Sequence, residues 1–260
     1  MSSNHNFEIN ALDFFAAGLP AGSLFKMSFD DMEELVENSN DLKGVGLNPV
    51  AEVCLIGLVS HFEAFCKNQF ASIINISPFL LNYFIEKRKE TSIPLKDLLE
   101  FNIITHNKLG FLLSENYDFG SAKKINSLYF DLLSITPFSQ DQISKYDQLL
   151  NDRNLLVHHA GIYTLKYQRN RLVRKSIKER VYFDSLIIRK RNYRAWAKFI
   201  DTMVLKIIEN TYNKMIEVIK RKKIKLSKES KKALEYLKWY EIDKKQISII
   251  KKYGDSDTKK

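Results

Sequence analysis

Glycine and proline are scarce, nine and five in 260 residues, which argues against a loop-rich β architecture. Cysteine is scarcer still: Cys54 and Cys66 stand alone, twelve residues apart in what reads as one helix. At about 1.5 Å of rise per residue they lie roughly 18 Å apart, far beyond disulfide reach. Two reduced core thiols are expected, as in a cytoplasmic protein, and a lone pair of cysteines gives no metal signature. Long apolar runs are missing too. The longest uncharged stretch, between Lys67 and Glu86, is interrupted by Asn75, Ser77, Pro78 and Asn82. A membrane span needs about 20 predominantly apolar residues, and Pro78 reads better as the start of a new helix, so no membrane contact is expected. The opening "MSSNHNFEINALDFF" lacks the basic region and apolar run of a secretion signal. There is no glycine-rich phosphate loop and no internal repeat, and no cofactor or metal is expected.

What is present is an ordinary globular composition, 45% hydrophobic and 28% charged, in a chain long enough to bury a core unaided. Its charge is uneven. Residues 1–152 hold 11 Lys/Arg against 20 Asp/Glu, a net of −9, while residues 153–260 hold 30 against 11, a net of +19; together they give the overall +10. A basic half joined to an acidic one suggests a polyanionic partner, nucleic acid foremost, or two halves that neutralise each other.

Along the chain the pattern is helical. Residues 1–47 read as an irregular N-terminal arm with turn signals at Gly18, Pro20, Gly44 and Gly46 and one short helix at 29–38. Asn48 can cap, and Pro49 can open, a central helix that is apolar nearly all round. Helices are predicted from Pro78 to Lys89, from about Pro94 onward, and after a capping Ser121. Ser139 and Gln142 form a capping box ahead of the next helix, which Gly161 can end. Residues 162–188 are β-branched and aromatic enough for short strands. A long amphipathic helix starts near Arg191, and residues 223–260 read as a basic helical tail.

The segment "LLNDRNLLVHHAG", residues 149–161, carries the chemistry. At about 100° per residue, Tyr146, Leu149, Leu150, Leu156, Val157 and Ala160 fall within roughly 60° of Arg153, which is thereby predicted to sit at the centre of a buried face. An unpaired buried guanidinium costs several kcal/mol, so Arg153 must be paired, reach a cavity or face a second subunit. His158 projects about 140° away, beside Asn154 and Asp147 on a polar strip. The plainest reading is structural: Arg153 bridges to Glu63 of the central helix, and His158 caps carbonyls at the helix end.

Arg153, Asn154 and His158 resemble the R-x(4–6)-H motif of the HEPN superfamily (higher eukaryotes and prokaryotes nucleotide-binding domain), in which a polar residue follows the arginine. The apolar helix "LVSHFEAFCKNQF" about 90 residues earlier, Gly161 closing the motif helix, and the long helix that follows agree with that pattern. The resemblance spans residues 48–222 and implies an all-α, up-and-down helical bundle that dimerises, bringing two motifs into one cleft. It also implies a metal-independent endoribonuclease that leaves 2′,3′-cyclic phosphate and 5′-OH ends, often in phage defence or a toxin system, where an antitoxin or another defence-system protein is a candidate partner. Other members are inactive binding or dimerisation modules. The acidic N-terminal arm and the basic tail depart from the family pattern.

The residue types suit that chemistry. Metal-free cleavage of RNA must take a proton from a ribose 2′-OH and neutralise charge on the phosphorane. Histidine, with an ordinary pKa near 6.5, carries the proton, and arginine offers a fixed cationic fork to phosphate oxygens. Arg153 would steady the phosphate, His158 act as base or acid, and Asn154 orient either. His159 is the alternative histidine, but it points about 120° the other way from Arg153's helix position. Asp147 and Glu63 are supporting acids. Arg169, Arg171, Arg174, Lys175, Arg189, Lys190 and Arg191 lie interleaved with aromatic residues, a composition able to track an RNA backbone while rings stack on bases. Nothing resembles a helix-turn-helix or zinc module for DNA.

Overall fold

The computed structural model describes residues 9–44, 46–89, 96, 107–167 and 185–257. Those residues are mostly helical and hold no strand. The centre is α2, Pro49–Ile76, with Asn48 Oδ1 accepting from the Ala51 amide at 3.0 Å and Pro49 in the first turn. Leu55, Leu58, Val59, Phe62, Cys66 and Phe70 of this helix are completely buried. By length and composition α2 is apolar enough to cross a membrane, a property that the uncharged run from Lys67 did not reveal; here it serves as the helix around which the core is built.

The first helix departs from expectation. α1 runs Ala21–Asn38 instead of 29–38, and Phe25, Phe29, Met32 and Val36 are buried on one face, at the i, i+4, i+7, i+11 spacing that lines up along a helix. Gly18 and Pro20 read as turn signals in sequence and hide its first turns. The packing of that face on α2 makes α1 part of the core. Phe25, for instance, lies 5.9 Å from Phe65, ring centre to ring centre.

α3 (Phe79–Lys87), α4 (Leu109–Glu115) and α5 (Ala122–Leu133) follow; most of the helix expected from Pro94 lies outside the described residues. α4 crosses α2 with almost no space between backbones. A Cβ at Gly110 would fall 2.1 Å from the Ala71 carbonyl oxygen. Asn75 secures the crossing: its Oδ1 accepts from the Gly110 amide at 2.7 Å and its Nδ2 donates to the Phe14 carbonyl at 3.2 Å. Tyr129 of α5 donates to the Cys66 carbonyl at 2.9 Å. Both cysteines are free and buried.

α6 (Gln140–His159) carries the motif, and α7 (Lys190–Lys222) is the long helix. α7 is fixed to α2 by a buried hydrogen bond from Gln69 Nε2 to Thr211 Oγ1 at 3.0 Å. The strands anticipated near 162–188 are absent among the described residues. Only a single antiparallel bridge, Ile162 to Ser185, is formed, and residues 165–167 are helical, started by Thr164 Oγ1 accepting from the Tyr167 amide. The basic tail forms α8 (Lys228–Tyr236) and α9 (Lys244–Asp257). It folds back on the start of the chain, where Tyr253 donates to Asp13 at 2.8 Å.

Candidate functional site

The ends of α6 are set as its sequence dictates. Ser139 Oγ accepts from the Gln142 amide and Gln142 Oε1 from the Ser139 amide, a complete capping box. At the other end Ala160 and Gly161 both turn left-handed, at φ 48° and 77°, and the Gly161 amide reaches back to the Leu155 carbonyl at 3.1 Å. Glycine adopts this conformation without strain.

The buried face of α6 is not centred on Arg153. Tyr146, Leu149 and Leu150 are buried as expected, but beyond them burial rotates to Asp152 and Leu155. Val157 is 46% exposed, and Ala160 is exposed as well. Arg153 therefore sits where the helix leaves the core, half in and half out. Its Nη2 donates to Glu63 Oε1 at 2.9 Å, with 22% of the arginine and 24% of the glutamate side chain exposed. Arg153 Nε is buried without a partner, as is the nearby Tyr146 hydroxyl.

The electrostatics of the pair are unbalanced. Burial pushes the Glu63 carboxyl above the ordinary carboxylate range, Arg153 pulls it back, and Asp118 adds to the rise. The Tyr146 phenol is pushed well up by burial and next by the Glu63 charge. Removing a carboxylate from water disfavours its charged form, and one nearby cation only partly offsets that.

Asn154, His158 and His159 are exposed. Among the described residues neither histidine side chain makes a hydrogen bond or ion pair, so the carbonyl-capping role foreseen for His158 is not filled. Asp147 is half-buried. One chain thus unites Arg153 with Glu63 and leaves Asn154 and His158 on a separate, open strip of the same helix.

Of the basic residues, Arg169, Arg171, Arg174 and Lys175 lie outside the described residues. Lys190 is engaged: its Nζ donates to the Glu37 carbonyl at 2.7 Å and its amide to Asp41 at 3.1 Å. Arg189 is half-buried, packed against Gly46. Arg191 is exposed. The acidic first half does therefore neutralise part of the basic second half, through α1 against α7.

A groove on another side of α6 is invisible in the sequence. It has a volume of about 800 Å³ and opens between α6, α7 and residues 185–188, with Lys145, Asp152, Tyr163, Arg189, Arg191 and Trp196 on its walls. Asp152 is 6% exposed, and its Oδ1 accepts from the Tyr167 hydroxyl at 2.7 Å. Tyr163 stacks on Tyr167 at 5.1 Å. Lys145, Gln148 and Asp152, at i, i+3 and i+7, form one polar strip of α6. That spacing is the available signal, but nothing in sequence ties it to residues forty positions on. No group of His, Cys, Asp and Glu suited to a metal ion occurs among the described residues.

No protein-family model matches the chain, nor does any curated protein or solved structure.

Proposed function

We propose that the chain is a HEPN-type, metal-independent endoribonuclease that acts as a homodimer in the cytoplasm, with Arg153, Asn154 and His158 as its working residues. The observation that carries this reading is the position of Arg153. Its guanidinium is held by Glu63 through Nη2, with 22% of the side chain exposed, at the point where α6 emerges from the core. A guanidinium oriented in advance, and partly shielded from water, binds a developing phosphorane charge better than a freely moving one. Arg153 and His158 diverge by about 140° on their helix, so a second copy must complete the site. Support for such a pairing is the apolar surface left uncovered beside the motif, Val157 on α6 at 46% and Ile162 just after it at 50% exposed.

In this reading Arg153 holds a non-bridging phosphate oxygen. One His158 takes the 2′-OH proton as the 2′ oxygen attacks phosphorus, and the 5′ oxygen leaves with a proton from the other copy's histidine. The products are a 2′,3′-cyclic phosphate and a 5′-OH. A setting in phage defence or a toxin system, with an antitoxin or another defence-system protein as partner, rests on the resemblance alone. A second reading, a non-catalytic HEPN module that binds RNA or a protein, is favoured by one observation: Arg153 is already paired within its own chain.

Labelled RNA incubated with the full chain in chelator distinguishes them. The ribonuclease reading expects cleavage with cyclic phosphate ends, lost on Arg153→Ala or His158→Ala. RNA that stays intact at high protein concentration, or variants that cut as fast as the parent, leave the binding module.

A further inference from the structure

The groove between α6 and α7 combines three features. First, its cations are not all neutralised: Lys190 and Arg194, on either side of Arg191 in the chain, are taken up by Glu37, whereas Arg191 is exposed and has no partner among the described residues. Lys145 lies opposite, its Nζ 4.5 Å from the Phe199 ring centre and 5.9 Å from that of Trp196. Second, Trp196 is half-buried and lines the opening together with Tyr163. Third, a carboxylate is set into the wall, since Asp152 is 6% exposed yet lines the groove.

Cations beside an aromatic ring form the usual grip on unpaired nucleic acid, phosphate on the charge and base on the ring. The aromatic wall makes the choice narrower: an acidic peptide offers carboxylates to Arg191 and Lys145 but no base plane to lie on Trp196, and Asp152 already accepts from the Tyr167 hydroxyl. A cavity of about 800 Å³ is within the size range of small-molecule sites, ample for one nucleotide. Asp152 also precedes His158 by six residues, about 9 Å along the helix axis, so the groove lies beside the proposed scissile site without including it.

We propose that this groove binds one unpaired RNA nucleotide, its phosphate on Arg191 and Lys145 and its base against Trp196, as a subsite that holds substrate next to the Arg153–His158 centre. The proposal rests on the reading of the chain as a protein that acts on RNA.

The test uses the full chain with Trp239→Phe, which leaves Trp196 the sole tryptophan, and a 2′-O-methyl RNA octamer that has no 2′-OH and cannot be cleaved. Saturable quenching of Trp196 fluorescence is expected, with binding about tenfold weaker for Arg191→Glu and a salt dependence shallower by roughly 0.7 for each phosphate no longer neutralised. Lys231→Glu, an exposed charge on α8, serves as control and stays within twofold; circular dichroism verifies that each variant folds. The proposal is overturned by absence of binding, by binding without quenching that Arg191→Glu leaves within twofold, or by equal quenching with polyglutamate. The octamer's binding does not require cleavage. Loss of groove binding alongside intact nuclease activity sinks only this subsite, and groove binding without nuclease activity sinks only the ribonuclease reading.

Discussion

Among the described residues, two arginine–glutamate pairs join distant parts of the chain, and their surroundings differ. Arg194 of α7 grips both carboxylate oxygens of Glu37 on α1, at 2.5 and 2.6 Å, with about half of each side chain in solvent, 53% and 48%. Arg153 of α6 makes one bond to Glu63 on α2 at 2.9 Å, with 22% and 24% exposed. The first pair holds the Glu37 carboxyl below its ordinary range, chiefly through the hydrogen bond from Arg194. In the second, burial outweighs the arginine, and the Glu63 carboxyl stands above its ordinary range. The same two residue types serve in one place to neutralise a surface seam and in the other to hold a cation at the edge of the core, at a cost in desolvation.

Breaking the comparison at its strongest point means removing each arginine in turn. Arg153→Ala is expected to lower RNA cleavage by about 10²- to 10³-fold, the usual loss when one transition-state donor is removed, whereas Arg194→Ala leaves the rate within about twofold; a single-turnover cleavage assay in chelator reads both. Stability comes next. Glu63→Ala strands a guanidinium whose Nε is already unpaired and costs about 1–3 kcal/mol, read by urea denaturation, while Glu37→Ala, at an exposed site, shifts the midpoint little.

A Gly110→Ala substitution sharpens the contrast between core and surface, because its Cβ would meet the Ala71 carbonyl at 2.1 Å. An overpacked crossing of this kind costs about 1–3 kcal/mol, with no direct effect on either ion pair; thermal unfolding checks it.

The smallest effect is the pH dependence, and the two glutamates contribute with opposite sign. The lowered Glu37 carboxyl gives stability that is present above the ordinary glutamate range, near pH 4.3, and is lost as pH falls through its depressed value. The raised Glu63 carboxyl binds more protons folded than unfolded in the window above about pH 4.3. Its contribution is therefore fully present below that window and lost as pH rises through the raised value. Glu37→Gln should flatten the acid limb of the stability profile, and Glu63→Gln should remove a loss on its alkaline side; urea midpoints taken from pH 3.5 to 7 show both.

Much of the architecture can be read from local signals. The Asn48–Pro49 start of α2, the Ser139–Gln142 box and the Gly161 stop are chemical requirements of helix ends, so they are visible one residue at a time. Glu63 is legible as an acid within reach of Arg153 because a buried cation on α6 needs one and the central helix offers few. What cannot be read depends on where neighbouring helices diverge. A helical wheel assigns Val157 and Ala160 to the buried face, but α2 no longer covers them, and only the packing of two elements decides that. α1 looks shorter in sequence than in space because the turn signals Gly18 and Pro20 mask an apolar period that its contact with α2 makes meaningful. The groove is hidden for the same reason: Lys145 and Asp152 meet Arg191 and Trp196 only in space. Cleavage chemistry, by contrast, comes from a short motif and its resemblance to a family, and within one chain its arginine and histidine remain apart.

The rate of metal-free RNA cleavage per chain, followed against protein concentration with sedimentation velocity on the same samples, tests most directly whether a second copy completes the site. The account predicts that activity rises with the fraction of dimer and vanishes when only monomer is left. A chain that sediments as a monomer throughout and still cleaves, or a stable dimer that never does, would contradict it.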